Sequence, residues 1–214
     1  MNKGNVIKAI GAVRSDTDED FSYSGKDMGR GLDKLDEFAK GVSFVLGHNF
    51  ISFDRPHLEA TNPNLGLLNL PVVDTLRLSP LAFPRNPYHS LVKHYKDGGI
   101  KQGQLNDPVL DSRLALKVFY DQLEEFPKAS PDLLAAWHWL CTPQPIGLDS
   151  ALDEMFCHIR QAQPPTRAKA TIIIQRILEN KSCKSYSNEV MATANHCHWE
   201  LAYTLAWSSV AGGD

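Results

Sequence analysis

The feature that most constrains this chain is a change of texture near residue 126. Up to that point short apolar runs alternate with helical periodicity, and beyond it only helical periodicity remains. An alternating half asks for a sheet covered by helices, and a purely helical half asks for a bundle of its own. The reading is an α/β domain over residues 1–126 and an all-α appendage over 127–214. The 214-residue length accommodates both.

Within the first part, Val6 to Val13 has strand composition. The acidic turn Arg14 to Asp20 and a second extended piece, Phe21 to Ser24, complete a β-hairpin. Leu32, Leu35, Phe38 and Ala39 recur at helical spacing, and Val42 to Leu46 is an apolar run stopped by Gly47. Asp54 to Ala60 opens a helix, and Leu70 to Leu76 reads as another strand. Residues 79–88 carry Pro80, Pro84 and Pro87, and the reading there is irregular chain, since each ring removes a donor and restrains its predecessor. A helix around Ser90 to Tyr95 follows, then a long amphipathic helix from Pro108 to about Glu125. The appendage reads as four helices near 131–141, 148–162, 166–180 and 187–210.

Composition removes whole classes. With 43% hydrophobic and 22% charged residues the chain is neither disordered nor fibrous. Lys+Arg 22 against Asp+Glu 25 leaves a net charge of −3, so any polyanion site is local. The four cysteines lie in the last third without C-x-x-C spacing, and no leader-like segment precedes them, which implies reduced thiols and a cytoplasmic location. No apolar run approaches the roughly 20 residues of a membrane span, so no membrane association is expected.

Two segments carry chemistry. In Gly47-His-Asn-Phe-Ile-Ser-Phe-Asp54 an apolar strand leads through a turn to an acid at a helix start, where a carboxylate at a sheet edge can hold a metal. In Asn106-Asp-Pro-Val-Leu-Asp111 two acids stand one helical turn apart, and Asp111 sits among apolar residues. The bland alternatives are that Asp54 caps its helix, that Asp111 pairs with Arg113 or Lys117, and that His48 and Asn49 are turn residues.

Taken together, His48, Asn49, Phe53 and Asp54, followed by Asp111-Ser112, resemble the second and third motifs of the DEDD-type 3′–5′ exonucleases, with two more residues before the Phe than in the shortest versions. The resemblance covers about residues 5–125. It implies an RNase H-like mixed sheet flanked by helices, and Mg²⁺ or Mn²⁺ as cofactor with Asp54 and Asp111 among the metal ligands. It also implies DNA, as a single strand or 3′ end, as partner. His48, Asn49 and Phe53 would touch substrate. Tyr88 and His89, with Lys93 and Lys96, form an aromatic and basic cluster suited to a single strand.

The run from Leu46 to Leu116 and the ending Ala206 to Gly213 further resemble the exonuclease-like region of some large bacterial RecQ-type helicases, which implies a helicase module or partner chain. No Walker-type phosphate loop is present, so the chain carries no ATPase. The departures are specific. The family's Asp-x-Glu motif is missing: no Asp here has Glu two residues later, and the residues before Val6 contain no acid. The general-base histidine position is Asn106, whose amide takes no proton at neutral pH and would at most position water. The resemblance therefore implies a catalytically incomplete domain lacking its first central strand. The gap would be met by a rearranged sheet, by a strand-swapped oligomer or partner strand, or by a strand encoded upstream. The alternative reading is a non-enzymatic nucleic-acid- or protein-binding scaffold.

Two weaker clusters complete the survey. His196 and His198 with Cys141, Cys157, Cys183 and Cys197 lack the paired spacing of structural zinc sites, and Cys197 beside Trp199 reads as core. Arg167, Lys169, Arg176, Lys181 and Lys184 place positive charge around one helix, suited to phosphate or simply to solvent.

Overall fold

The computed structural model describes residues 7–91, 107–142, 150–179, 181, 184–193 and 198–211. They form a mixed α/β structure that is mostly helical, in two compact units: residues 1–76 with 89–120, and residues 77–88 with 121–214.

In the first unit, β1 (Ile10–Arg14) pairs antiparallel with β2 (Glu19–Tyr23), in register from Ile10 opposite Tyr23 to Arg14 opposite Glu19. The acids of this hairpin are exposed and make ion pairs at the surface. Arg14 pairs with Asp16 at 2.6 Å, and Arg113 reaches Asp18 at 3.4 Å and Asp20 at 2.8 Å. Helix α1 (Met28–Phe38) starts where the Asp27 carboxylate accepts from the Arg30 amide at 3.1 Å. It buries Leu32 and Leu35 among Ile10, Phe50, Leu58, Leu65, Leu67, Leu68 and Val72.

Strand β3 is confined to Val45–Gly47, shorter than the apolar run from Val42 suggested. It pairs in parallel with β4 (Val72–Asp74), also shorter than the run 70–76, because Thr75 already belongs to a helix. Between them lie a π-helical turn (Phe50–Asp54), helix α2 (Arg55–Thr61) and a 3₁₀ turn (Gly66–Asn69). Among the described residues the strands make two separate two-stranded sheets, not one continuous sheet.

Helix α3 (Thr75–Ala82) corrects the irregular reading at its first residues. Asp74 caps it by accepting from the Leu76 amide, and Leu78, Leu81 and Ala82 are buried, so the apolar face holds the helix despite Pro80. The helix expected over 90–95 lies outside the described residues beyond Leu91. Helix α4 (Pro108–Glu125) has the bounds read from its periodicity, and Asp107 caps it by accepting from the Val109 amide at 3.0 Å. Ser112 Oγ lies 2.8 Å from the Pro108 carbonyl of its own helix and 3.0 Å from the Gly11 carbonyl, so its one hydrogen is shared between α4 and β1.

In the second unit a 3₁₀ turn (Phe126–Lys128) leads to α5 (Pro131–Cys141), capped by Ser130. Every α5 residue from Leu133 to Cys141 is buried, as expected of a helix that is apolar all round. It packs against α6 (Ser150–Arg160), α7 (Arg167–Glu179) and α9 (Trp199–Val210). The single helix expected over 187–210 is two, α8 (Lys184–Thr193) and α9. His198 has a non-helical backbone, and its Nδ1 accepts from the Leu201 amide at 3.2 Å to start α9. Among the described residues no helix is long and apolar enough to cross a membrane.

Candidate functional site

The parallel pair β3–β4 ends with two side chains aimed at the turn that follows β3. Asp74, buried to 4% exposure, accepts from three backbone amides: Asn49 at 2.8 Å and Leu76 at 3.0 Å on Oδ1, and Ile51 at 3.1 Å on Oδ2. Beside it the fully buried Thr75 bonds to the Gly47 carbonyl at 3.2 Å and lies 2.9 Å from His48 Nδ1. With the hydroxyl donating to the carbonyl, His48 carries its proton on Nδ1. Asn49 adopts a left-handed backbone, φ 66°, which an Asn tolerates better than most residues.

From that turn the chain winds through Phe50–Asp54, where the Arg55 amide bonds back five residues to the Phe50 carbonyl. The π turn takes up one residue more than an α turn would, and it delivers Phe53 and Asp54 together at the start of α2. Phe53 is 55% exposed, with its ring edge-on to His57 at 5.2 Å. Asp54 occupies the N-cap position of α2, yet its side chain makes no capping bond. The helix-capping explanation for this acid therefore fails.

Water reaches both Asp54 and Asp111, while protein packed on their inner sides penalises their charged forms. Burial is the main cause that pushes Asp54 up to about 6; its own amide and His57 oppose the shift, and Asp74 and then Asp111 add repulsion. Asp111 is raised by burial and by Asp107. Arg113, one proposed partner of Asp111, is instead occupied by the hairpin acids.

Asp54 and Asp111 are both acids with solvent access whose charged forms are disfavoured mainly by burial. They are oxygen donors of the kind that Mg²⁺ or Mn²⁺ takes. Asp74 and Asp107 are committed to backbone amides.

The structure thus brings His48, Asn49, Phe53, Asp54 and Asp111 into one unit. Asn106, Lys93 and Lys96 lie outside the described residues. Tyr88 is 58% exposed and belongs to the second unit, whereas His89 belongs to the first. Asp74 is not among the residues singled out from the sequence, where it falls inside the run Leu70 to Leu76 that reads as a strand.

The second unit contains a cluster of another kind. His138 on α5 and Asp153 and Cys157 on α6 place one potential ligand atom each within 4.8 Å of one another. Arg160 Nη1 lies 2.6 Å from His138 Nδ1, and His138 Nε2 lies 2.7 Å from Asp153 Oδ1. A guanidinium only donates, so the imidazole proton sits on Nε2 and is given to Asp153. Ligation through Nε2 would move that proton to the nitrogen facing Arg160; as the structure stands, both nitrogens of the His138 ring are engaged in hydrogen bonds.

Of the residues weighed for zinc, Cys183, His196 and Cys197 lie outside the described residues, Cys141 is buried, and His198 caps α9. The basic face proposed for phosphate is partly spent: Arg176 pairs with Asp132, and Lys181 donates to the Ser208 carbonyl. Compared with known proteins, the chain matches no protein-family model, no curated protein and no solved structure.

Proposed function

We propose that the first unit is an exonuclease-like, nucleic-acid-processing module with an RNase H-like ancestry, catalytically incomplete by itself, that works within a helicase- or repair-type protein. The observation that carries this reading is Asp54: it stands at a helix start without capping it, and its charge is opposed by burial, Asp74 and Asp111. Asp54 and Asp111 would hold one Mg²⁺ or Mn²⁺, which supplies Lewis acidity at a phosphate oxygen. His48, Asn49 and the exposed Phe53 would touch the substrate, Phe53 offering a stacking face for a base. Two available carboxylates, with Asn106 at the position of the family's general-base histidine, favour binding over turnover.

The test is Mn²⁺ binding together with a single-stranded DNA binding and cleavage assay. The expected result is cation binding that Asp54→Ala removes, with salt-dependent DNA binding and little cleavage. Robust cleavage lost in Asp54→Ala would overturn incompleteness. Absence of both Mn²⁺ and DNA binding would overturn the module and leave a protein-binding scaffold.

A further inference from the structure

We infer that Asp74 and Thr75 are the positioning pair of the carboxylate site, clamping the turn after β3 and thereby setting where Asp54 stands. The inference rests on the metal-binding reading above.

Four bonds converge on four residues of the segment 47–51: Asp74 takes the amides of Asn49 and Ile51, and Thr75 bonds the Gly47 carbonyl and the His48 ring. Both clamping side chains are buried, and a third Asp74 bond, to the Leu76 amide, anchors the carboxylate on its own strand end. Asn49 is held with positive φ, a conformation that persists where surrounding bonds determine it. The π turn starts at Phe50 directly after it and ends at Asp54, so the clamp fixes the base of the turn that carries the metal-binding acid.

An amide in place of Asp74 keeps one acceptor oxygen for Asn49 and Leu76 but turns an NH₂ toward the Ile51 amide, donor against donor. Thr75→Val keeps shape and loses the hydroxyl, and Thr75→Ser restores it.

A comparison is available in the same unit. Asp36 also accepts two backbone amides, Gly66 at 3.0 Å and Leu67 at 2.8 Å, but in a different turn. Asp36→Asn therefore reports what loss of an amide-binding carboxylate does to folding alone.

The experiment measures Mn²⁺ affinity by calorimetry on the full chain, with thermal midpoints alongside. The expected result is that Asp74→Asn and Thr75→Val weaken Mn²⁺ binding by about 10-fold, the low end of the range for residues bonded directly to a ligand, since neither touches Asp54 itself. Thr75→Ser recovers binding, and Asp36→Asn lowers the midpoint without changing affinity. Wild-type affinity in both Asp74→Asn and Thr75→Val, or equal weakening by Asp36→Asn, overturns the clamp while leaving the metal site standing. A wild-type chain that binds no Mn²⁺ overturns the metal-binding reading and the clamp with it.

Discussion

Arg160 donates to His138 Nδ1 across 2.6 Å, and that bond decides which nitrogen of a fully buried imidazole carries the proton. The proton on Nε2 then satisfies Asp153, and the ring stacks on Phe156 at 5.5 Å. Protonating Nδ1 would set two cations face to face. Burial is the main cause that pushes His138 below its ordinary value; Arg160 adds to it and Asp153 opposes it.

The pH dependence follows from that direction. A base whose folded pKa is depressed binds fewer protons folded than unfolded, so stability is fully present above the unfolded value of about 6.5 and falls as pH drops toward the folded one. Acidification from pH 7 to 5 should destabilise the second unit. All four tryptophans lie in it, so their fluorescence in urea titrations reports the effect. Arg160→Ala should cost about 1–3 kcal/mol at pH 7.5 and make this acid slope shallower; an unchanged slope would refute the assignment.

Phe126 closes the core of the second unit at 1% exposure, edge-on to Trp137 at 6.0 Å and to Phe156 at 5.7 Å. Phe126→Ala should destabilise by about 3–5 kcal/mol through lost transfer energy and the cavity left behind. Phe126→Leu should cost clearly less. The same urea titrations measure both.

Gly11 is required by space. A Cβ there would lie 2.3 Å from the Pro108 carbonyl carbon and 2.4 Å from the Val109 nitrogen, both backbone atoms that no rotamer change can move. Gly11→Ala should therefore push α4 off β1 and destabilise by about 1–3 kcal/mol or more. Faster amide exchange in the hairpin and at the start of α4 is the measurement, and unchanged exchange would contradict the close approach.

Asp54 should behave as a group that opposes folding when charged. Its folded value near 6 lies above the ordinary 3.8, so the folded chain binds more protons between those values and loses stability as pH rises through them. Asp54→Asn should raise the thermal midpoint at pH 8 and not at pH 3. The gain should stay below about 2–4 °C, the shift that 1 kcal/mol gives in a chain of this size, because water screens an exposed acid. A lowered midpoint at pH 8 would show that the carboxylate is a structural partner instead.

Local signals carried the elements whose determinants are contiguous. Pro108 and the apolar spacing through Leu123 placed α4, and the apolar stretch from Leu133 placed α5, because helical periodicity and caps are written within a few residues. The same locality misled at Pro80, where burial of Leu78 and Leu81 outweighs the missing donor, and at His198, whose side chain caps a helix start inside the single helix expected.

The sequence by itself determined the strand-to-acid turn ending at Asp54, the acid at Asp111 and the loss of strand signals after Phe126. Each depends on residue type and near spacing. Only the tertiary structure decided that Asp54 leaves its helix uncapped, that Arg113 serves the hairpin acids rather than Asp111, and that Asp74 and Thr75 hold the turn below the site. The physical reason is separation along the chain. Asp74 and Thr75 bond groups about 25 residues away, and Arg113 reaches Asp18 from 95 residues away. Such pairings depend on where the folded backbone brings donors and acceptors together, not on the pattern of either segment.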